Sequence, residues 1–261
     1  MFKQISYGRI IFAIGIAALA VLSIVSKDFI FGRPPAINTN EILSYALSII
    51  ILISAVIVIV NNNLSGIASF TIALLILVFS FLIRNVPSLI KAPNFEAVVW
   101  SINAWKTLAF FGGGLIVSAS FFQQSENQIP QNFKKYNTVS LFITIGIFTL
   151  ALFFIISGFA HFKFLDFVTN FIPSYIPLRS FFAQFTGVCL IAGGVGILII
   201  QTRKWAALLA AIMLSGWFIL LHIPRFIANA SDASDRMGLA ESFAFAGIFF
   251  VLAGILEKRQ K

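Results

Sequence analysis

Eight long apolar runs constrain the fold of this chain more than any other feature of its sequence. Each run holds roughly 18 to 24 residues, enough to cross a hydrocarbon core of about 30 Å as an α-helix. The runs are continuous rather than alternating, which favours helices over the strands of a membrane barrel. Because 59% of the 261 residues are hydrophobic and 10% are charged, no soluble core could bury them. The sequence therefore predicts an all-α, polytopic transmembrane protein with helices near residues 9–26, 42–60, 65–83, 105–122, 138–160, 181–200, 204–221 and 241–256.

One stretch of the chain occurs twice. Phe81-Leu-Ile-Arg-Asn-Val-Pro87 returns 137 residues later as Phe218-Ile-Leu-Leu-His-Ile-Pro224, and each copy lies between two long apolar runs. The constant offset indicates that about half the chain is a repeat unit. We therefore predict two tandem four-helix bundles related by internal duplication, an N-terminal repeat at 1–122 and a C-terminal repeat at 138–261, joined by a polar linker at 123–137. Because four spans return the chain to its starting side, the copies should be parallel.

Basic residues indicate the orientation of the chain. An even number of spans places both termini on one side, and the segments on that side are shorter and denser in lysine and arginine than the opposite loops. By the positive-inside rule, both termini and the linker should be cytoplasmic. The net charge of +9 then indicates anchoring to the anionic lipid of the bilayer rather than nucleic-acid binding.

Small residues indicate where helices approach each other most closely. Gly112-Gly-Gly114 and Ser118 lie in the fourth run, and Ala192-Gly-Gly-Val-Gly196 lies in the sixth. Both patterns favour close helix packing, with a ligand against bare backbone as the alternative. The single Cys189 fits the same reading, as a small apolar residue.

The segment 162–173, after the fifth run, is amphipathic. Such a segment should lie in the headgroup layer as a lid over the bundle, and it should end at Pro173. One helical face carries Phe164, Phe167, Val168 and Phe171, and the opposite face carries Asp166 and Asn170.

Several short motifs in the C-terminal half resemble the DoxX family of four-helix bacterial membrane proteins. They are Ser157-Gly-Phe-Ala-His161-Phe162, the aromatic lid, Ile176-Pro177, Arg203-Lys204 and Phe218-Ile-Leu-Leu-His222-Ile-Pro224. The C-terminal copy, about residues 138–258, carries the full pattern. The N-terminal copy is similar but degenerate, with Asp28 roughly where His161 would be and Asn85 in place of His222.

The resemblance implies a fold, a location and a class of function. The fold is a four-helix membrane bundle, and the location is the bacterial inner membrane. Some members of the family are described as membrane subunits of redox assemblies, such as a thiosulfate:quinone oxidoreductase or a superoxide-detoxifying complex. For this chain, the resemblance therefore implies a non-catalytic subunit that docks a redox protein.

Polar residues of the C-terminal half indicate a ligand site at one end of the bundle. Polar and ionisable groups inside a membrane bundle are costly and mark functional sites. The two histidines are the only ones in the chain and fall at the outer ends of their helices, where a quinol headgroup or a proton-transfer pair would meet the lid. Helix capping and interhelical hydrogen bonding are the structural alternative. The candidates are Ser157, His161, Gln184 with neighbouring Thr186, Ser215, His222 and Glu241.

Other chemistries find less support in the sequence. The cofactor stays open, with a quinone or another small lipophile between the two histidines as one candidate. His161 and His222 could ligate a haem axially, but no second pair and no attachment motif accompanies them. Zinc lacks a third ligand at metal spacing. We find no nucleophile triad, phosphate-binding loop or nucleotide motif, so the chain offers too few groups for an enzyme acting alone.

The matching corner of the N-terminal half is charged instead. Asp28 and Lys106 occupy roughly the positions of His161 and Glu241, with Arg84 and Asn85 nearby. We predict an ion pair between Asp28 and Lys106, which makes this half a scaffold.

Two functions from different classes remain. The first is a non-catalytic membrane subunit of a redox-related complex that binds a quinol or a similar lipophile. The second is a small-solute transporter or permease in which the two parallel repeats rock about a central site. Against transport, the spans carry few polar residues at mid-depth, and the prolines cluster at helix ends. The pattern leaves the oligomeric state open.

Overall fold

The computed structural model describes residues 2–32, 40–124 and 135–259. These residues form helices and no strands, and eight helical spans are long and apolar enough to cross a membrane, which confirms the predicted fold class. Most of the predicted linker lies outside the described residues. The helices are α1 Phe2–Ser26, α2 Glu41–Val60, α3 Ser65–Leu75, α4 Val86–Ile90, α5 Phe95–Val99, α6 Ile102–Gln124, α7 Lys135–Lys163, α8 Leu165–Phe171, α9 Arg179–Leu198, α10 Arg203–Trp217, α11 Ile223–Ala228 and α12 Ala233–Arg259.

The chain alternates direction between two faces. The third span runs continuously over Ser65–Ile90 and the seventh over Arg203–Ala228. We call the face where α1 begins and α12 ends the terminal face, and the opposite one the distal face. The short helices α5 and α8 both lie on the distal face, because each follows a span that starts on the terminal face.

Local signals fix the ends of α2. The side chain of Asn40 accepts hydrogen bonds from the amides of Ile42 and Leu43, so it satisfies two donors of the first turn. At the other end Asn61 adopts a left-handed conformation with φ 58°, and its amide bonds back to the last turn. A short connection to α3 follows.

The centre of the protein is a pair of parallel helices, α6 and α12. Lys106 lies against Glu241, the rings of Phe110 and Phe245 are 4.2 Å apart, and Gly113 lies against Ile248. Residue numbers rise together along these contacts, so the two helices run in the same direction. These two spans are also the most buried of the eight.

The remaining spans surround this pair. The first three spans pack against one another in chain order, and the third contacts α6. In the same way α7, α9 and α10 pack in chain order, and α10 contacts α12. The ring closes between the halves, because α1 lies along α12 and α6 lies along α7. The two predicted four-helix units therefore share their central helices. That the units arose by duplication remains a prediction.

Small residues line the closest contacts, as predicted. A Cβ added at Gly112 would approach Gly146 on α7, and one added at Gly194 would lie 2.9 Å from the carbonyl oxygen of Ala151. Contacts of this kind favour helix association in lipid because they bring backbones together. The closest approach to backbone, which no sequence pattern indicated, is between Gly247 on α12 and the amide nitrogen of Phe12 on α1.

Both copies of the repeated stretch contain a π-helical segment just before a proline. In each copy the amide that follows the segment bonds five residues back, from Val86 to Phe81 and from Ile223 to Phe218. Proline lacks an amide hydrogen and its ring crowds the carbonyl four residues earlier, so a wider turn relieves the helix. The segments are Ile76–Asn85 and Phe218–His222.

Candidate functional site

A cavity of about 410 Å³ lies in the C-terminal half, beneath the lid helix α8. Its walls come from α7, α9, the seventh span and α12, and α6 contributes Ile102 and Lys106. The lid supplies Phe164, Phe167 and Phe171, which confirms that the predicted apolar face covers the bundle. The lining is mainly apolar and aromatic, as is usual for a site that takes a lipophilic ligand.

Four polar atoms on the cavity wall are buried and make no hydrogen bond to any described residue. They are Oγ of Ser157, Oγ1 of Thr186, Nδ1 of His222 and Oε1 of Glu241. Native proteins satisfy most buried polar atoms, and each unmet one costs about 1 to 3 kcal/mol. A cluster of four around one cavity therefore indicates a place where a ligand supplies the partners.

These four groups lie at one depth. Ser157 and His222 are six residues before the distal ends of their spans, and Thr186 and Glu241 are seven and eight residues after the distal starts of theirs. At 1.5 Å per residue, all four lie roughly 9 to 12 Å below the distal face. They form a polar ring between the lid above and an aromatic floor below, where the rings of Phe153 and Phe245 stack 5.3 Å apart.

His161 lies on the same wall, one turn closer to the lid than Ser157. Its Nδ1 is 2.7 Å from the carbonyl oxygen of Ser157, and a carbonyl only accepts, so Nδ1 carries the hydrogen. The nitrogen left for a ligand is therefore Nε2, which in the neutral ring is an acceptor.

His222 is the last residue of the second π-helical segment and contacts α12. A Cβ added at Gly238 would lie 3.0 Å from Nδ1 of His222, so the ring packs against bare backbone. The ring of Phe171 meets the imidazole at 6.4 Å between centroids. The lid, the histidine and α12 thus form one wall, and Gly238 is a site residue that no sequence pattern indicated.

Glu241 is paired with a residue of the N-terminal half. Nζ of Lys106 donates to Oε2 of Glu241 at 2.8 Å, and both side chains are mostly buried. The prediction of an ion pair between Asp28 and Lys106 is therefore wrong. Asp28 instead contacts Arg84, at 3.4 Å, because α6 lies between α3 and α12 and its Lys106 reaches α12.

Two of the predicted site residues do not line the cavity. Gln184 is exposed, with its amide 3.4 Å from Oγ of Ser180, and Ser215 donates to the carbonyl of Ala211 on its own helix. Ala183, Thr186 and Leu190 of α9 line the cavity, and their spacing places them on one face of the helix. Gln184 lies on a different face. This apolar spacing in the sequence could have identified Thr186 as the better candidate.

Contacts at both ends hold the lid in place. At its end, the guanidinium of Arg225 lies 3.6 Å from the centroid of the Phe171 ring, and its Nη1 donates to the Phe171 carbonyl at 2.9 Å. Nε of the same arginine donates to the buried carboxylate of Asp235 on α12 at 2.7 Å. Arg225 therefore ties the lid to two walls of the cavity.

The start of the lid is attached to the N-terminal half. Nζ of Lys163 lies 2.8 Å from Oε1 of Glu96, and the rings of Trp100 and Phe164 meet edge to face at 5.7 Å. The hydrogen bond and charge of Lys163, with a further hydrogen bond from the indole of Trp100, lower the pKa of Glu96 below its ordinary value. This ion pair is exposed, so salt and water weaken it.

The corresponding part of the N-terminal half is filled by its own chain. Phe29, Ile30 and Phe31 are buried after α1, and Arg84, with no exposed surface, donates to the carbonyl of Phe29. Nδ2 of Asn85 donates to the carbonyls of Ser80 and Gly32, at 2.7 and 3.1 Å. Where the C-terminal half has a cavity beside His222, the N-terminal half therefore has hydrogen-bonded backbone beside Asn85.

No group of three or more histidine, cysteine, aspartate or glutamate side chains among the described residues is placed to hold a metal ion. The candidate site thus consists of a lipophilic cavity, its ring of polar atoms and one ion pair.

Comparison with known proteins gives one family match. Residues 150–243 are similar to a family described as a domain of unknown function, DUF8561. No curated protein and no solved structure matches the chain. The matched stretch contains every cavity-lining residue except Ile102, Lys106 and Phe245, so the similarity to that family lies in the part of the chain that forms the site.

Proposed function

We propose that this protein is a membrane subunit of a redox-related complex, without catalytic activity of its own, that binds a quinol or a similar lipophile beneath the lid. The observation that carries the proposal is the set of four buried polar atoms without partners on the wall of an otherwise apolar cavity. A quinol-type molecule matches it, because it has a flat apolar ring and polar oxygens.

The aromatic residues around the cavity also suit such a ring. Phe164 and Phe171 of the lid and Trp217 of the seventh span line it. Aromatic rings favour offset or edge-to-face contact with other flat rings, and such contacts stabilise a complex by about 0.5 to 1.5 kcal/mol each beyond burial. The polar ring then orients the headgroup.

The resemblance to the DoxX family supports the redox part of this proposal. Relatives described as subunits of redox assemblies would place this chain beside a redox-protein partner. The same resemblance and the basic terminal face support an inner-membrane location in a bacterium with cytoplasmic termini, which puts the cavity at the outer leaflet.

Transport is the second candidate, and the site geometry supports it less. The rings of Phe153, Phe154, Phe245 and Phe249 pack against one another at the cavity floor, with centroids 4.5 to 6.2 Å apart. A solute pathway through the bundle would have to separate these rings and the central helices beside them.

Mass spectrometry of the protein purified from native membranes in mild detergent tests the proposal. We expect a retained quinone-type lipophile in the wild type and its loss in His222→Leu. The matched control is Gln184→Leu, because Gln184 is exposed and lies outside the cavity. A co-purifying redox protein in stoichiometric amount would support the subunit role. A wild-type protein that retains no lipophile and takes up no added quinol contradicts the proposal.

A further inference from the structure

The carboxylate of Glu241 has one oxygen with a partner and one without. Oε2 accepts from Lys106 at 2.8 Å, whereas Oε1 is buried on the cavity wall and makes no hydrogen bond to any described residue. A carboxylate oxygen accepts hydrogen bonds and cannot donate them. The best partner for Oε1 is therefore a ligand group that donates, an O–H or an N–H.

The charges at the site already balance. Lys106 and Glu241 cancel each other as an ion pair, and next to the cavity Arg225 is paired with Asp235. A ligand of either charge would add a charge without a partner to an apolar cavity, which is costly. The site therefore favours an uncharged headgroup over a fatty-acid carboxylate or an amine cation.

The oxidised and reduced forms of a quinone differ in whether they can donate a hydrogen bond to Glu241. The oxygens of the oxidised form are carbonyls and only accept, so one placed at Oε1 would face another acceptor. The hydroxyls of the reduced form donate as well as accept. Ser157 and Thr186, whose hydroxyls also lack partners, can serve a ligand oxygen in either state and so do not discriminate.

We infer that the cavity selects the reduced, hydroxyl-bearing form of its lipophile. Oε1 of Glu241 accepts a hydrogen bond from the ligand hydroxyl, and Lys106 holds Glu241 in place. This inference rests on the proposed function. It names the ligand class as a neutral quinol or phenol, and it makes Glu241 a specificity-determining residue.

A matched redox pair tests the inference. Decylubiquinol and decylubiquinone are titrated anaerobically into the full-length protein in lipid nanodiscs, and the bound form is quantified by chromatography after subtraction of empty nanodiscs. A hydrogen bond to a charged group favours quinol over quinone by roughly tenfold to a hundredfold. Decanoate, an anionic amphiphile, should not compete.

Variants connect the selectivity to Glu241. In Glu241→Gln the amide can donate to a carbonyl, so the preference for quinol should fall to near one. Because this change leaves Lys106 unpaired, the double variant Lys106→Met/Glu241→Gln repeats the test without a buried charge. Thr186→Val should weaken both forms and leave their ratio unchanged.

The possible outcomes distinguish a failure of this inference from a failure of the proposed function on which it rests. If neither form binds, the proposed function fails. If both bind equally, or quinone binds more tightly, the function stands and the inference is overturned. A quinol preference that persists in both Glu241 variants overturns the role of Glu241.

Discussion

Nζ of Lys106 on α6 lies 2.8 Å from Oε2 of Glu241 on α12, and this ion pair links the two halves of the protein at the edge of the cavity. The side chains are 16% and 11% exposed. A buried pair of this kind gives little net stability compared with apolar residues, but losing one partner leaves a buried charge. An arrangement of the central helices that separated the two side chains would therefore leave a charge without its partner.

Removal of one partner should destabilise the protein strongly. We expect Lys106→Met to lower the free energy of unfolding by about 3 kcal/mol, measured by thermal unfolding in a detergent–lipid mixture. The double variant Lys106→Met/Glu241→Leu should recover much of the loss, because neither charge remains.

The matched control for this prediction is the more exposed pair of Lys204 and Glu257, with 3.6 Å between Nζ and Oε1. Lys204→Met should cost about 0 to 1 kcal/mol. Equal losses for Lys106→Met and Lys204→Met would contradict the special role of the central pair.

The two halves should respond differently to matched substitutions. Asp28→Asn removes a carboxylate from beside the fully buried Arg84, so it should lower stability by about 3 kcal/mol and leave binding of decylubiquinol near wild type. His161→Ala should weaken binding with a smaller effect on the unfolding temperature. Both are measured at equal protein abundance, and the same phenotype in both variants would show that the halves are not specialised.

A methyl group at Gly238 should obstruct the site without unfolding the protein. The added Cβ in Gly238→Ala would lie 3.0 Å from Nδ1 and 3.1 Å from Cε1 of His222, so the imidazole has to move. We expect decylubiquinol to bind roughly tenfold more weakly, since overpacking costs about 1 to 3 kcal/mol. Gly216→Ala is the control because nothing lies within 4 Å of its added Cβ, and a similar loss there would point to a general effect on the seventh span.

The attachment of the lid to α5 should weaken in acid. The pKa of Glu96 is lowered in the folded protein, mainly by its hydrogen bond and charge interaction with Lys163. A lowered folded pKa means that the stabilisation is present above the ordinary value of 4.5 and is lost as the pH falls below it.

Trp100 reports on this change because its indole donates to Oε1 of Glu96 at 3.3 Å. In a variant with Trp105→Phe, Trp205→Phe and Trp217→Phe, we expect its emission to shift below about pH 4.5. Adding Glu96→Gln should abolish the shift, whereas Glu41→Gln, in the exposed pair with Lys27, should not. A shift that survives Glu96→Gln would assign the titration to another group.

Much of the site could be predicted from the sequence. Spacing alone places Ser157 and His161 on one face of α7, and the lid pattern places Phe164 and Phe171 over the bundle. Both follow from the geometry of a single helix, which a sequence specifies locally. Gln184 shows the limit of this approach, since polarity suggested it but the face of its own helix excludes it.

The sequence by itself determined the eight spans and the lid, because apolar length and amphipathic spacing act within one segment. Only the tertiary structure decided that Lys106 pairs with Glu241 rather than with Asp28, and that the segment around Phe29 and Phe31 fills the N-terminal half. Those outcomes depend on which helices become neighbours and how each is rotated about its axis. Close contacts between small residues and the backbone of distant helices, such as Gly247 against the amide of Phe12, favour that arrangement, and no single segment encodes it.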